Sequence, residues 1–179
     1  MDNIQYFDYP WKYAVVEDFL PQDIFNRLIA YCKKIGVDTP VKTTYNDGIR
    51  DIELHTAISS YCQKLFDTTY QTLDTEDKIT SPPSPRFHLQ FREPGHDYTI
   101  HTDIVSKLYT IVLYIYPEVS DGTPLYTSGE PEYVKDLEWK PNKAMAFCPI
   151  QTKGKETFHA VKNTTDKNRA ALVINYIKI

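Results

Sequence analysis

The spacing of hydrophobic positions changes once along the chain, from a helical period to strict alternation. In PQDIFNRLIAYCKKIG (21–36) apolar residues recur every three or four positions, which predicts an amphipathic helix that begins after a proline and ends at a glycine. A second helix is predicted over 51–70 on the same ground. The two apolar stripes are Ile24, Leu28, Ile29, Cys32 and Ile35, and Leu54, Ile58, Tyr61, Cys62, Leu65 and Phe66.

Three other segments of the N-terminal half have no helical period. The run YAVVEDF (13–19) predicts a short strand, and the polar stretch VDTPVKTTYNDG (37–48) predicts a loop. Residues 71–85 contain TSPPSP, which cannot continue a helix, so we interpret them as a linker.

From residue 86 onward, apolar and polar residues alternate. In RFHLQFRE the residues Phe87, Leu89 and Phe91 share one face, and the opposite, polar face is predicted to meet solvent. The alternative left open is that Arg92 borders the mouth of the active site. Six further segments have strand character: DYTIHTD (97–103), LYTIVLYIYP (108–117), TPLYTS (123–128), KAMAFCPI (143–150), ETFHAVKN (156–163) and RAALVINYIKI (169–179).

These elements predict a mainly β fold with helices at the N-terminal end. About eight antiparallel strands suit two facing sheets, a jelly roll or double-stranded β-helix, with the helices packed on one outer face. We expect a single domain over 1–179, in which 1–85 supply a strand and supporting helices and 86–179 form the jelly-roll core. Residues 117–142 form the longest predicted loop.

Composition narrows the class of protein. The net charge is −4 and there is no basic stripe, so a nucleic-acid substrate is not expected. The N-terminus lacks the pattern of a secretory signal, and the longest apolar run, 108–117, is too short to span a bilayer as a helix. The scattered Cys32, Cys62 and Cys148 show no metal-binding spacing, which favours reduced thiols in a cytoplasmic protein.

Candidate chemistry begins with HTD at 101–103. Residues i and i+2 of a strand point to the same face, so His101 and Asp103 project together. His159, inside the strand pattern ETFHAV, is the best candidate for a third ligand. Two histidines and one carboxylate form the facial triad typical of non-haem Fe(II) oxygenases.

Arg169 suggests what fills the remaining coordination positions. It begins an apolar strand, ten residues after His159, where a guanidinium calls for an anionic partner. Its planar fork suits a carboxylate. A dicarboxylate with one end on the iron and the other on Arg169 would be 2-oxoglutarate.

The combined pattern resembles the 2-oxoglutarate- and Fe(II)-dependent oxygenase superfamily, in particular its short prolyl-hydroxylase-like members. The resemblance covers most of the chain, with 36–85 the least similar segment. Its motifs here are VVEDFLPQDIFNRLI, Gly95, Tyr98, HTD at 101–103, TIVLYIYP with Thr110 and Tyr114, DGTPLY, His159 and Arg169.

The resemblance implies roles for these residues. His101, Asp103 and His159 would bind Fe(II), and Arg169 would hold the distal carboxylate of 2-oxoglutarate. In such a site the Tyr114 hydroxyl assists the arginine, and the remaining cosubstrate-pocket residues are Thr110, on the same strand face, and Tyr98.

Two departures from the family pattern concern the cosubstrate side of the site. Gly122-Thr123-Pro124 stands where paired glycines are common, which leaves the geometry of that turn open. Ala171 stands where a Ser or Thr often follows the arginine, so a secondary contact to the cosubstrate is not expected.

The implied activity is hydroxylation of a C–H bond with O2, releasing succinate and CO2, with ascorbate as a supporting reductant. A peptidyl proline or a small free amino acid is the favoured substrate, and no membrane partner is expected; the oligomeric state stays open. The loops at 37–50, 71–85 and 117–142 would shape the entrance. Two alternatives are a catalytically inactive metal-containing binding module and a halogenase, the latter disfavoured because Asp103 occupies the position a halide needs.

Two further residues are expected outside the site. His96 follows Gly95 in a turn and is expected to be solvated, with a substrate contact as the alternative. Trp139 is expected to serve packing, although its place in the predicted loop 117–142 leaves a substrate contact open.

Overall fold

A computed structural model of the chain describes residues 3–39, 46–73, 84–130 and 133–178. Within these ranges a pair of helices precedes most of the strands, as the hydrophobic pattern predicted. The elements are β1 (Ile4–Phe7), β2 (Tyr13–Val16), α1 (Gln22–Lys34), β3 (Asn46–Asp47), α2 (Ile52–Leu73), β4 (Arg86–Arg92), β5 (His96–His101), β6 (Lys107–Tyr116), β7 (Thr123–Tyr126), β8 (Tyr133–Leu137), β9 (Ala144–Phe147), β10 (Phe158–Asn163) and β11 (Arg169–Ile177).

The strands form two antiparallel sheets. The large sheet has the order β1-β2-β9-β6-β11-β4-β3, and the small sheet has the order β5-β10-β7-β8. Chain neighbours β4 and β5 therefore lie in different sheets, as do β6 and β7. The predicted mainly β fold with antiparallel sheets and two helices is confirmed.

One face of the large sheet packs on the helices. Phe25, Leu28 and Cys32 of α1 share a single buried cluster with the apolar stripe of α2 and with alternating residues of β2, β4, β6, β9 and β11. The predicted stripe of α1 omitted Phe25, which is 4% exposed. Burying each such large side chain contributes roughly 1.5–3 kcal/mol.

The other face of the large sheet meets the small sheet. Strand alternation divides β9 between the two layers, because Ala144 and Ala146 face the helices while Met145 and Phe147 join a second cluster with Leu125 of the small sheet. The space between the two sheets therefore holds both apolar core and a cavity.

Several boundaries differ from the prediction. β1 was not predicted, because a four-residue edge strand is too short to show a hydrophobic period. β8 lies inside the predicted loop 117–142, and β3 lies inside the predicted loop 37–48. α2 continues to Leu73 because that residue is buried, 4% exposed, so the linker starts later than predicted. Most of the predicted linker, 74–83, lies outside the described residues.

Only part of the polar face of β4 lies in solvent as predicted, since Arg86 is exposed. Phe87, Leu89 and Phe91 do face the helices, but Gln90 and Arg92 are half-buried and line the cavity between the sheets. The pattern of one strand cannot tell a solvated polar face from one that borders an internal site. Among the described residues, neither helix is long and apolar enough to cross a membrane.

Candidate metal centre and its cavity

His101 and His159 meet on neighbouring strands of the small sheet. They are direct partners in the antiparallel pairing of β5 with β10, and their ring centroids are 4.4 Å apart. Asp103 follows two residues after His101, just beyond the end of β5. One ligand atom from each of the three side chains lies within 4.8 Å of the others. The predicted triad therefore converges, and it could hold a metal ion.

Backbone carbonyls orient both imidazoles. The Nδ1 atom of His101 lies 2.9 Å from the carbonyl oxygen of Thr99, and that of His159 lies 3.0 Å from the carbonyl oxygen of Thr157. Because a carbonyl only accepts, each Nδ1 carries the hydrogen, and each Nε2 of the neutral ring keeps its lone pair. This carbonyl–histidine arrangement is the usual support of a metal-binding histidine.

Burial keeps His159 neutral. The residue is 7% exposed, and loss of solvation lowers its pKa to about 4, an effect that the charge of Asp103 opposes and that of His101 reinforces. At neutral pH the ring is therefore uncharged, the form that binds metals.

Asp103 is held from several sides. The Lys107 ammonium lies 2.5 Å from Oδ1, and the Thr110 hydroxyl donates to Oδ2 at 3.2 Å. Gln151 donates through Nε2 to the Asp103 backbone carbonyl at 2.5 Å. The Thr110 oxygen also lies 3.1 Å from Oδ1 of Asn175. The carboxylate thus has a cation as its partner and a fixed orientation.

The sequence reasoning missed three of these neighbours. Asn175 could have been found, because it lies six residues after Arg169 on an alternating strand and so shares its face. Lys107 lies four residues after Asp103, a weak signal outside a helix. Gln151 lies in a segment without a strand pattern and gave no signal.

A cavity of about 440 Å³ lies between the sheets beside the triad. This volume falls within the range of about 300–1,000 Å³ of small-molecule sites. Both sheets contribute to its lining: Gln90, Arg92, Tyr98, His101, Thr102, Asp103, Ile104, Lys107, Thr110, Val112, Thr123, His159, Val161, Arg169, Ala171 and Val173.

Arg169 is a buried cation in the wall of this cavity. It is 2% exposed, and its guanidinium donates to the carbonyl oxygens of Lys162 and Gly122, both at 3.3 Å. Its Nε atom has no hydrogen-bond partner, and no carboxylate of the described residues lies within 4.0 Å of it. Burial lowers its pKa. A desolvated charge in this state is costly, so the position favours an anionic ligand.

Two aromatic rings pack against the guanidinium. The Arg169 Cζ atom lies 5.6 Å from the ring centroid of Tyr114 and 4.8 Å from that of Trp139, and the two rings stack on each other. The Tyr114 hydroxyl lies 2.5 Å from Oγ1 of Thr123, and burial raises its pKa to about 12. Trp139 packs as expected, 7% exposed, and its indole donates to the Pro117 carbonyl at 2.8 Å.

Position 122 of the DGTPLY turn has no room for a side chain. A Cβ atom on Gly122 would lie 1.9 Å from the carbonyl oxygen of Leu137 in β8, so only glycine fits between the strands. The carbonyl of Gly122 is also an acceptor for Arg169. The turn therefore helps to position the Arg169 guanidinium, although Thr123 stands where the family pattern often has a second glycine.

Tyr98 and His96 lie on β5 near the cavity. Tyr98 lines the mouth, is 47% exposed, and places its ring edge-on against His101 with centroids 4.6 Å apart. His96 is not solvated as expected: it is half-buried, and its Nε2 atom has no hydrogen-bond partner. Ala171 lines the cavity with a methyl group, so the departure from the family pattern leaves no polar contact there.

Known protein structures share this fold. No protein-family model matches the sequence, and no curated protein matches it. A Pseudomonas putida prolyl-4-hydroxylase is similar with a TM-score of 0.66 and 18% identity, covering 93% of this chain and 88% of that one. The viral collagen prolyl hydroxylase of Paramecium Bursaria Chlorella virus-1, solved as a 2OG complex, is similar with a TM-score of 0.61 and 14% identity, covering 93% of this chain and 96% of that one. A Trichoplax adhaerens prolyl hydroxylase, in complex with a hypoxia inducible factor peptide fragment, has a TM-score of 0.61 and 16% identity, covering 93% of this chain and 83% of that one.

The similarity extends over nearly the whole chain. It confirms, at the level of the fold, the resemblance to 2-oxoglutarate/Fe(II) oxygenases that the sequence motifs indicated. Sequence identities this low show a shared fold and nothing about activity. Evidence for an activity comes from the residues of the site.

Proposed function

We propose that the protein is a 2-oxoglutarate- and Fe(II)-dependent dioxygenase that hydroxylates a C–H bond and releases succinate and CO2. We also infer that the two sheets form the double-stranded β-helix of that class. The observation that carries the proposal is the presence of two features in one cavity. A His-Asp-His cluster with mutually close ligand atoms lines the same cavity as a buried arginine without a carboxylate partner among the described residues.

The residues fit a divalent metal. Two imidazoles present Nε2 atoms whose opposite nitrogens are fixed by carbonyls, and Asp103 supplies a carboxylate that already attracts a cation, the Lys107 ammonium. Nitrogen donors with one carboxylate are typical of non-haem Fe(II) sites. When bound, Fe(II) would supply the O2 chemistry that side chains cannot perform.

The residues also fit 2-oxoglutarate. Its two carboxylates require two cationic positions, and the cavity offers two, the metal position at the triad and the Arg169 guanidinium. The aromatic walls of Tyr114 and Trp139 hold the guanidinium in place, so its fork is preorganised for a carboxylate. Tyr98 and Thr110 lie nearer the triad, where they would limit the orientation of the bound acid.

Apolar side chains also line the cavity. They are Val112, Val161, Ala171 and Val173. A dry wall strengthens each charge interaction with the acid and keeps water from the reacting atoms. The chain therefore contributes binding, orientation and exclusion of water.

The substrate class is proposed on the fold relatives. Several are prolyl hydroxylases, and one was solved with a peptide fragment, which supports a peptidyl proline or a small free amino acid as the substrate. We propose O2 as the second cosubstrate and ascorbate as a reductant that maintains Fe(II).

The test is coupled turnover of 2-oxoglutarate. Protein with Fe(II), ascorbate and O2 is expected to form succinate from 2-oxoglutarate, faster when a proline peptide or free proline is added. Arg169→Ala and Asp103→Ala serve as matched negative controls. If the wild-type protein forms no more succinate than these variants with any candidate substrate, the rival function, a metal-containing binding module, takes its place.

A further inference from the structure

We propose that Arg92 forms a second anion-binding position at the cavity, which takes a carboxylate of the substrate. This inference rests on the proposed function and names the chemistry of its substrate: an amino acid or a peptide with a free or side-chain carboxylate next to the reacting group.

Arg92 and Arg169 lie side by side. They are direct partners in the antiparallel pairing of β4 with β11, and both side chains line the same cavity. Directly opposite residues have Cβ atoms about 4.5–5.5 Å apart, and like charges in that relation destabilise a sheet. Two adjacent guanidinium groups on one wall therefore have a cost that bound anions would remove.

Arg92 has no anionic partner within the described ranges of the chain. Its terminal nitrogen donates to Oε1 of Gln90 at 3.0 Å, and its Nε atom is buried without a hydrogen-bond partner. No carboxylate of the described residues lies within 4.0 Å of it. Burial lowers the pKa of the guanidinium, which is the sign of a partly desolvated charge. Such a group is poised to accept a ligand.

The backbone that carries Arg92 is fixed. The Asn163 side chain, fully buried, places Nδ2 2.9 Å from the carbonyl oxygen of Arg92 and 3.0 Å from that of Glu93. The same nitrogen lies 2.8 Å from the Lys167 carbonyl, which ties the β4–β5 turn to the β10–β11 turn. Arg92 is thus presented from a rigid position, as a recognition residue requires.

The charged groups of the cavity leave an excess of positive charge after the cosubstrate is bound. Among the described residues that line it, three carry a positive charge, Arg92, Lys107 and Arg169, and one carries a negative charge, Asp103, which sum to +2. The two positive charges of a divalent metal and the two negative charges of 2-oxoglutarate cancel, so the sum stays +2. Lys107 already has Asp103 as its partner and Arg169 would bind the distal carboxylate, so Arg92 is the guanidinium left without an anion, and a substrate carboxylate there would reduce the excess.

The position of Arg92 assigns it to the substrate instead of the cosubstrate. Arg169 is 2% exposed, whereas Arg92 is half-buried, so Arg92 lies nearer the mouth. The exposed side chains Tyr98 and Ile104 line the same mouth, 47% and 61% exposed. An incoming molecule can therefore rest an apolar portion on these residues and direct a carboxylate to Arg92. The net charge of −4 disfavours a polyanionic partner.

The test measures binding without turnover. Protein loaded with Zn(II) is titrated by calorimetry, first with 2-oxoglutarate, and then, when saturated, with compounds that differ only in one charge. The pairs are N-acetylproline with N-acetylprolinamide, and the blocked dipeptide Pro-Asp with Pro-Asn. Wild-type protein is expected to bind the carboxylate of at least one pair about tenfold or more tightly than its amide.

The variants separate the two arginines. Arg92→Gln is expected to bind acid and amide alike while its 2-oxoglutarate affinity changes less than about twofold. Arg169→Gln is expected to lose about tenfold or more in 2-oxoglutarate affinity. Arg86→Gln is the matched control, since Arg86 lies on the same strand, is exposed and does not line the cavity.

Three outcomes would overturn the inference: wild-type protein shows no preference for acid over amide, Arg92→Gln keeps the preference, or Arg92→Gln loses 2-oxoglutarate as severely as Arg169→Gln. Inorganic phosphate that binds at Arg92 where the carboxylates do not would also overturn it. If the wild-type protein binds no 2-oxoglutarate, the proposed function fails instead, and the acid–amide titration without 2-oxoglutarate still decides the role of Arg92.

Discussion

His101 and His159 are direct partners across β5 and β10, and each points its Nδ1 at the carbonyl oxygen of the residue two positions earlier, Thr99 or Thr157. The same local geometry thus repeats on both strands. It fixes the tautomer of both rings without any side-chain partner. Backbone carbonyls near the paired strands therefore orient the two nitrogen donors of the candidate metal centre.

Removal of the Asp103 carboxylate should abolish metal binding. The side chain is 9% exposed and is the one carboxylate among the described residues that line the cavity. Because loss of even a supporting contact to a metal ligand costs about 10- to 100-fold in affinity, Asp103→Ala should cost about 100-fold or more. Calorimetric titration with Mn(II) measures this, and circular dichroism checks that the fold survives. Metal affinity within a few-fold of wild type would remove Asp103 from the ligand set.

Removal of the Lys107 ammonium should strengthen metal binding. This charge lies 2.5 Å from Oδ1 of Asp103, where it competes with a metal ion and repels it. Charges a few ångströms apart near a protein surface interact by several kcal/mol, so Lys107→Met should raise Mn(II) affinity by about tenfold or more. Lys107→Arg keeps the charge and is the control. A weaker affinity in the methionine variant would mean that Lys107 orients Asp103 instead of competing for it.

Arg169→Ala should leave metal binding nearly intact and weaken 2-oxoglutarate binding by about tenfold to a hundredfold, the loss typical of a charge-assisted hydrogen bond. 2-Oxoglutarate at about ten times its wild-type Kd should raise the melting temperature of metal-loaded wild-type protein clearly and that of the variant much less. Thermal unfolding of both proteins with and without the acid is the measurement. An equal shift in both would place the acid elsewhere.

Tyr114→Phe separates the ring of this residue from its hydroxyl. The ring packs on Arg169, while the hydroxyl lies 2.5 Å from Thr123 Oγ1. The variant should lose about 1–2 kcal/mol of stability, because the buried Thr123 hydroxyl loses its partner. It should lose less 2-oxoglutarate affinity than Arg169→Ala does. Denaturant unfolding and calorimetry measure the two effects. A loss of affinity as large as that of Arg169→Ala would assign the hydroxyl to the cosubstrate.

The three cysteines should resist modification in the native protein. Cys32, Cys62 and Cys148 are all buried, and burial raises the pKa of Cys32 to about 12 and that of Cys62 still further. Both thiols stay protonated at neutral pH, and the thiolate is the reactive form. A thiol reagent should therefore label none of the three at about pH 7.5 and all three in denaturant. Rapid labelling of native protein would show that the core opens locally.

The sequence by itself determined the secondary structure wherever its hydrophobic period was strong. Both helices and the strands that carry His101, His159 and Arg169 were predicted, because a residue's place on a helix stripe or strand face depends only on its neighbours in the chain. β1, β3 and β8 were missed. All three are short strands at the edges of their sheets, where the hydrophobic alternation of a central strand is not required.

The convergence of the site was decided by the tertiary structure. Local spacing placed Asp103 beside His101, but only the β5–β10 pairing brings His159 opposite. In the same way the β4–β11 register sets Arg92 beside Arg169, although the alternation of β4 alone predicted a solvated face. Strand pairing joins residues that are 58 or 77 positions apart, and no local pattern encodes the register between them.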